Sequence, residues 1–193
     1  MEAFLLKTVS SIRSASSSRN VELNAKCDEI VAGSGGKFAS QQKGNFHDKY
    51  FTVIRLGCES RQAAVMEISL DALHYLIEHG FMQEAGGIEV KSGGQAESAD
   101  GADPQTESKS EGALATVLSP VERVDLMIEA VSKCSDDFDD KVQLQVLKVL
   151  LTAVTSNQLE THGASLLLAV RACFHVHLIS KNVVIKTTAK AAL

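Results

Sequence analysis

Apolar residues recur along most of this chain at intervals of three and four, the spacing that lines one face of an α-helix. The clearest case lies between Ser60 and Gly80. Two apolar rows run side by side there: Ala63, Met66, Leu70, Leu73 and Ile77, and Val65, Ile68, Ala72 and Leu76. We expect this helix to stop at Gly80, because glycine tolerates the left-handed conformation that is common at helix C-termini.

The stretch from Met1 to Arg19 allows two interpretations. Leu5, Val9 and Ile12 would share one face of a first amphipathic helix. The Ser- and Arg-rich composition also loosely resembles a transit peptide. The serine run at residues 14–18 is either a phosphorylation target or a flexible tether after the first helix.

Two further helices are predicted before Ser60. Asn20 can cap the second helix and Asp48 can open the third. Their predicted buried positions are Leu23, Cys27, Ile30 and Val31 in the second helix and Phe51, Ile54 and Cys58 in the third. Between these helices, the Gly-, Ser- and Lys-rich stretch at residues 33–44 breaks the periodicity and is predicted to be a loop.

The composition changes at residues 83–113, where six of the 13 glycines fall. Between Glu84 and Gly112 there are seven acids and two lysines, which together account for the whole net charge of −5. We interpret this segment as a disordered acidic insertion between two helices. The rest of the chain is then neutral, which argues against nucleic acid as the main partner and predicts membrane contact only through other proteins.

Helix signals return at Ser119, where Ser119, Pro120 and Glu122 form a capping box with proline at the first helical position. The predicted buried stripe of this helix is Val121, Val124, Ile128 and Val131. The acids of residues 136–140 form the next turn and suit the positive end of the helix that follows.

The most apolar segment is Lys141–Thr155. Its apolar rows are Leu144, Leu147, Leu151 and Val154, and Val142, Val146, Val149 and Ala153. The remaining positions form a narrow polar strip of Gln145, Lys148, Thr152 and Thr155. A helix that is apolar on most of its circumference is expected to pack between neighbours.

Two more helices follow. The first covers Ala164–Ser180, and its predicted buried stripe is Leu166, Leu167, Val170, Phe174 and Leu178. Asn182 opens the second, which is still running at Leu193. This pattern suggests a fragment of a longer protein.

No arrangement of residues predicts a catalytic, cofactor or metal site. The GxSxG and HExxH motifs are absent. Cys173 and His177 share a helix face, with His175 between them, and could hold zinc in principle, but a structural site needs about two more ligands. His74, Glu78 or His79 could supply them only if the fold brought these residues next to Cys173 and His177.

Two other features have plain structural interpretations. The stretch Gly33–Lys37 lacks the spacing of a phosphate-binding loop and the Ser or Thr after its lysine, so it is interpreted as a linker. The four cysteines are widely spaced without a CxxC pair and are predicted to be reduced core residues.

From Ser119 onward a helix starts about every 20 residues, and two such helices approach the roughly 40–47 residues of a HEAT or armadillo repeat. We therefore predict an all-α protein, an armadillo/HEAT-like α-solenoid that forms a single domain over residues 1–193. Its parts would be a helical hairpin region at 1–82, the acidic insertion at 83–113 and helical repeats at 114–193, truncated at the C-terminus. Such folds offer long ridges to protein partners.

Two stretches resemble a known family. The first is Asp48–Phe51, continuing through Ser69–Leu73 and Leu76–Gly80. The second, more specific stretch is Val142–Ser156 (VQLQVLKVLLTAVTS), continuing through His162, Ala169–Phe174, Ser180–Asn182 and Thr187–Ala191. In this order and spacing they resemble the N-terminal dimerisation and cyclophilin-binding (DCB) region of the large, brefeldin A-inhibited guanine nucleotide exchange factors for Arf GTPases.

The resemblance implies a non-catalytic regulatory segment of a large cytoplasmic protein, peripheral at the trans-Golgi network and endosomes. The implied roles are homodimerisation, autoregulation by packing on the following helical domain, and recruitment by Arf-like small GTPases. The family's name adds an immunophilin as an implied partner. The exchange domain would lie downstream, outside this chain.

The same resemblance leaves open a stand-alone or trans-Golgi helical scaffold without exchange activity. The predicted contact surface is the polar strip with two neighbours: Gln145, Lys148, Thr152, Thr155, Asn157 and Arg171. The alternative interpretation of these residues is ordinary solvated helix surface.

Overall fold

The structure, a computed structural model, describes residues 2–33, 43–82, 119–157, 159, 161 and 163–193. Within these ranges the chain forms eight α-helices and no β-strand, which confirms the predicted all-α solenoid class. The predicted acidic insertion at 83–113 and most of the predicted loop at 33–44 lie outside the described residues. The helices are α1 Glu2–Ala15, α2 Val21–Gly33, α3 Lys43–Glu59, α4 Ala63–Glu78, α5 Pro120–Cys134, α6 Asp140–Thr155, α7 Gly163–Ile179 and α8 Val183–Ala192.

The helices stack in two rows. In one row α4 packs extensively on α6, and α6 contacts α8; in the other, α3 contacts α5 and α5 contacts α7. Consecutive helices α3 and α4, α5 and α6, and α7 and α8 pair across the rows as hairpins, and α1 and α2 cover the first of them. Each hairpin buries its apolar face mainly against its neighbours, which is the packing of an α-solenoid.

The first two helices follow the predicted pattern with one exception. Leu5, Val9 and Ile12 are at most 1% exposed, so the amphipathic interpretation of α1 is confirmed. The predicted face of α2 is also buried, except that Val31 is 44% exposed and that prediction was wrong. Val31 lies in the last turn of α2.

The third helix begins at Lys43, earlier than the predicted start at Asp48. The prediction placed the start at Asp48 because an aspartate can cap a helix, whereas the helix already includes residues 43–47. Its predicted core residues Phe51, Ile54 and Cys58 are buried. The helix therefore places the expected face inward although its beginning was misjudged.

The end of α4 is closed as predicted by Gly80, which has φ of 73°. The Phe81 amide donates to the Leu76 carbonyl at 3.0 Å and the Gly80 amide donates to the Ile77 carbonyl at 3.1 Å. These two bonds form a Schellman motif, which satisfies carbonyls that the helix leaves unpaired.

The start of α5 carries the predicted capping box. The Glu122 amide donates to Ser119 Oγ at 3.2 Å, and the Ser119 amide donates to Glu122 Oε2 at 2.9 Å. Val124, Ile128 and Val131 are buried, but Val121 is 50% exposed and its prediction was wrong. Val121 lies in the first turn of α5, where the chain has only begun to enter the core.

The predicted acidic turn also caps its helix. Asp139 is the N-cap of α6, and its Oδ1 accepts from the amides of Lys141 at 2.9 Å and Val142 at 3.2 Å. Asn182 caps α8 in the same way by accepting from the Val184 amide at 2.9 Å. Within the described ranges, no helix combines the length and apolar character needed to cross a bilayer.

Candidate protein-interaction surface

The predicted polar strip lies on the outer face of α6. Val142, Val146, Val149 and Ala153 are buried as predicted, because this side of α6 faces α4, α5 and α8. The other apolar row is mostly outside: Leu144, Leu151 and Val154 are 41–47% exposed, and only Leu147 is buried. α6 contacts four helices, α4, α5, α7 and α8, so it packs between neighbours as expected, although the side with Leu144, Leu151 and Val154 remains exposed.

The strip and the exposed leucines form one mixed surface, which we call the α6 face: Leu144, Gln145, Lys148, Leu151, Thr152 and Thr155. Lys148 and Thr155 are exposed, and Gln145 and Thr152 are half-buried. The hydroxyl of Thr152 donates to the Lys148 carbonyl at 2.9 Å, and that of Thr155 donates to the Leu151 carbonyl at 2.8 Å. Both hydroxyl protons are thus used within the helix, so Lys148 and the leucines are the stronger candidates for binding contacts.

The other two predicted contact residues lie elsewhere. Asn157 is exposed in the turn that follows α6, so it continues the α6 face at its C-terminal end. Arg171 is exposed on α7, in the opposite row of helices. Of the two predicted neighbours of the strip, Asn157 thus follows α6 directly and Arg171 belongs to another helix.

The predicted buried stripe of α7 is largely exposed. Leu167, Val170, Phe174 and Leu178 are 47–73% exposed and form what we call the α7 ridge. The fifth predicted member, Leu166, is half-buried. The residues that are buried are Ala169, Ala172, Cys173 and Val176.

Size explains which side of α7 is inward. Small side chains let a helix approach its neighbours closely, and most of the buried residues of α7, which contacts α5, α6 and α8, are small. The larger side chains then remain on the side that no described helix covers. Sequence reasoning missed this because apolar residues surround most of α7, so their spacing alone does not identify the buried side.

A second exposed aromatic residue was also missed. Phe138 is 74% exposed in the turn between α5 and α6, among the acids Asp136, Asp137, Asp139 and Asp140. The turn is held in place because Gln143, which is buried, donates through Nε2 to the Asp137 carbonyl at 2.9 Å. An apolar residue within an acidic turn gives no periodic signal, which is why the helix patterns passed over it.

The core contains one buried ion pair that periodicity did not predict. Arg123 on α5 is 2% exposed, and its Nε lies 3.2 Å from Asp48 Oδ1 on α3. The pair links two helices of the same row, and removal of one partner would leave an uncompensated charge in the core. No feature of the sequence distinguishes Arg123 from the solvated charges on either side of it.

The residues considered for metal binding lie apart or are otherwise engaged. Cys173 is buried, which raises the pKa of its thiol. His177 Nδ1 is 3.0 Å from the Lys186 carbonyl, and His175 Nδ1 is 3.5 Å from Asp136 Oδ1. Among the described residues, no three His, Cys, Asp or Glu side chains are grouped as metal ligands would be.

His74, another histidine considered for metal binding, is buried on α4. Burial lowers the pKa of its imidazole, and Lys148 on α6 acts in the same direction. Its Nδ1 lies 3.4 Å from Glu78 Oε2 one turn later on the same helix. The site is a contact between α4 and α6 beneath the α6 face.

Comparison with known proteins identifies the family. The profile of the Mon2/Sec7/BIG1-like dimerisation and cyclophilin-binding (DCB) domain matches residues 2–193. Human brefeldin A-inhibited guanine nucleotide-exchange protein 1 is 34% identical over 169 residues, which is 86% of this chain and 8% of that protein. Protein 2 of the same name from Arabidopsis thaliana is 34% identical over 74% of this chain and 6% of its own length.

A more distant relative is the ADP-ribosylation factor guanine nucleotide-exchange factor SEC7 of Saccharomyces cerevisiae, 25% identical over 68% of this chain. Over the described residues the chain is thus all-helical, and its sequence is that of a DCB domain. It belongs to the DCB family, and the relatives it matches are large guanine nucleotide-exchange proteins, of which it spans less than a tenth.

Proposed function

We propose that this chain is the non-catalytic regulatory N-terminal domain of a large Arf guanine nucleotide exchange factor, folded as one unit over residues 1–193. The observation that carries the proposal is the match of the DCB family over residues 2–193, with relatives that are exchange proteins. Its action would be positional: it joins two copies, packs on the following helical domain and recruits the protein to trans-Golgi membranes through an Arf-like small GTPase.

The α6 face is the proposed surface for self-association. It offers Leu144 and Leu151, each more than 40% exposed, with the cation Lys148 between them. An interface between proteins that also exist as stable monomers is about as apolar as the rest of their surface, so this mixed patch is compatible with one. Asn157 would extend this contact at the end of the helix. Arg171 would contribute only if the partner also reached α7.

The experiment is the molar mass of residues 1–193 by light scattering over a concentration series. We expect a dimer that dissociates on dilution, and we expect Lys148→Glu to raise its dissociation constant about tenfold, since a reversed charge in an interface is unfavourable. Arg171→Glu tests the separate α7 position. Lys7→Glu, at an exposed position of α1, is the matched control and should leave the dissociation constant unchanged.

A strict monomer at all concentrations would reject self-association by this segment. Docking of a GTPase is tested separately, by calorimetry with an Arf-like GTPase loaded with GTP or with GDP. Binding of the GTP form alone, weakened by Leu151→Ser on the α6 face, is the expected result. Equal binding of both nucleotide states would reject GTP-dependent recruitment.

The alternative function is a helical scaffold without exchange activity. The module itself contains no feature that separates the two, because exposed helix faces serve either role. The distinguishing measurement is nucleotide exchange on an Arf GTPase by the full-length protein from which this chain comes. Exchange supports the regulatory proposal, and a full-length protein without exchange activity supports the scaffold.

A further inference from the structure

The last helical hairpin carries an unusual charge. Residues 163–193 contain four Lys or Arg residues and no Asp or Glu, although the whole chain has a net charge of −5. The cations are Arg171 on α7, Lys181 in the turn, and Lys186 and Lys190 on α8. None of the four forms an ion pair with a carboxylate among the residues that the structure describes.

The same hairpin exposes more large apolar side chains than any other part of the described structure. The α7 ridge is 47–73% exposed, and Val183 and Val184 at the start of α8 are 75% and 66% exposed. The two helices are held together by close packing and by the contact of His177 Nδ1 with the Lys186 carbonyl at 3.0 Å. The apolar and cationic groups therefore belong to one rigid unit.

We propose that the hairpin α7–α8 binds directly to an anionic lipid surface, with the α7 ridge and Val183 entering the headgroup region and Arg171, Lys181 and Lys190 contacting lipid phosphates. Apolar side chains beside cations, without intervening acids, are what an interfacial membrane-binding helix presents. Anionic headgroups attract such cations within a short distance of the surface. This contact is independent of any GTPase and of the α6 face.

Charge distribution favours lipid over the other acidic partners. The acids Asp136 and Asp140 lie at one edge of the hairpin, where Asp136 approaches His175 and Asp140 accepts from Asn182 Nδ2 at 2.8 Å. These two acids would repel an acidic protein that wraps around the hairpin. A flat lipid surface that contacts only the α7 ridge would not meet them. Nucleic acid offers no apolar layer for four exposed large side chains.

The chain contains no tryptophan, so the fluorescence of a single introduced tryptophan reports only on the surroundings of that residue. We would prepare Phe174→Trp on the ridge and Phe138→Trp in the acidic turn, since both positions are more than 50% exposed. Each protein is mixed with vesicles of phosphatidylcholine alone or with added phosphatidylserine. The expected result is a blue shift of the ridge reporter with the phosphatidylserine vesicles only, reversed by salt, and no shift of the turn reporter.

Binding is then measured by vesicle co-sedimentation. Replacing Arg171, Lys181 and Lys190 together by Gln should lower the partition constant on the order of 100-fold, since each cation near the surface contributes about a factor of five. The double variant Phe174→Ser with Leu178→Ser should also bind the anionic vesicles more weakly. The matched controls are Lys7→Gln on α1 and Val21→Ser on α2, both at exposed positions, and these should bind as the unchanged protein does.

The proposal is rejected if the chain does not bind anionic vesicles, if it binds neutral vesicles equally well, or if the triple variant binds like Lys7→Gln. Soluble polyglutamate is the test for an acidic protein partner. Binding to polyglutamate without binding to vesicles would assign the hairpin to such a partner and would also reject the lipid contact. Helix content by circular dichroism confirms that each variant is folded.

Discussion

Ser69 on α4 packs directly against the backbone of Gly57 on α3, so the two helices of this hairpin are in close contact. A Cβ atom at residue 57 would lie 3.1 Å from Ser69 Cβ and would overlap its Oγ. Ser69 is 0% exposed, and its hydroxyl has no hydrogen-bond partner among the described residues. The glycine is therefore required by the approach of two helices, since its own backbone is helical.

Gly57→Ala should destabilise the protein. Alanine favours the helix by about 1 kcal/mol over glycine, but the overlap with Ser69 forces the helices apart, at a typical cost of about 1–3 kcal/mol for overpacking. We expect a net loss measured by urea denaturation. Gly33→Ala, at the end of α2 with nothing within 4 Å of the added atom, is the control and should be neutral or stabilising.

Ser69→Ala tests the same contact from the other side. It removes a buried hydroxyl without a hydrogen-bond partner, so the free energy of unfolding should stay the same or rise. In the Gly57→Ala background it should recover part of the loss, because the worst overlap involves the hydroxyl oxygen. Independent, additive effects of the two substitutions would show that the contact does not limit the approach of α3 to α4.

The capping box of α5 should contribute measurably to stability. Ser119→Ala removes the acceptor of the Glu122 amide, and the expected cost is about 1 kcal/mol. The backbone amide of Ser119 and then its side chain lower the pKa of Glu122 below 4.5. The contribution of this carboxylate is therefore present above pH 4.5 and is lost as the pH falls through its folded-state pKa.

Urea midpoints of the unchanged protein and of Glu122→Gln over this pH range would test that sign. The two midpoints should differ near neutral pH and converge in acid. Val124→Ala, a truncation on the buried face of the same helix without a titrating group, is the control and should show a loss that is independent of pH. A Glu122→Gln effect that grows in acid would contradict the assigned hydrogen bonds.

The sequence predicted those parts of the fold where one residue type has one physical role. The capping box at Ser119, the Asp139 and Asn182 caps and the left-handed Gly80 were all readable because few residues satisfy these backbone conditions. The inward positions of α1 and α4 were readable because their apolar residues recur at intervals of three and four along one side of the helix. The family resemblance was carried mainly by Val142–Ser156, which is nearly all of α6.

The outward side of α6 and α7 could not be predicted in this way. On α7, periodicity favoured the large residues Leu167 and Phe174 for the core, but the core admits the small ones such as Ala172. Which side is buried depends on where α5 and α8 lie, which is tertiary information. Four of the six candidate contact residues lie on α6, where Lys148 and Thr155 are exposed, and the apolar residues beside them were not recognised as exposed.

The ion pair between Arg123 and Asp48 should matter more than its surface counterparts. Asp48→Asn leaves the guanidinium of Arg123 with a neutral neighbour in the core, and breaking a buried pair costs about 3–5 kcal/mol. The control is Asp28→Asn, whose pair with Arg13 is shorter, at 2.8 Å, but exposed to solvent. We expect a large shift of the urea midpoint for Asp48→Asn and little shift for Asp28→Asn.

Cys27, on the buried face of α2, should make stability fall in alkaline solution. Burial raises the pKa of its thiol from 9.0 to about 11. Above pH 9.0 the unfolded chain loses this proton while the folded protein retains it, so the unfolded state binds fewer protons and the free energy of unfolding decreases up to about pH 11.

Cys27→Ala should lower the urea midpoint below pH 9.0 and reduce its further decline between pH 9.0 and 11. The control is Leu23→Ala, a truncation on the same face of α2 without a titrating group. It should lower the urea midpoint and keep the full decline of the midpoint between pH 9.0 and 11. An equal decline in both variants would show that Cys27 does not contribute to it.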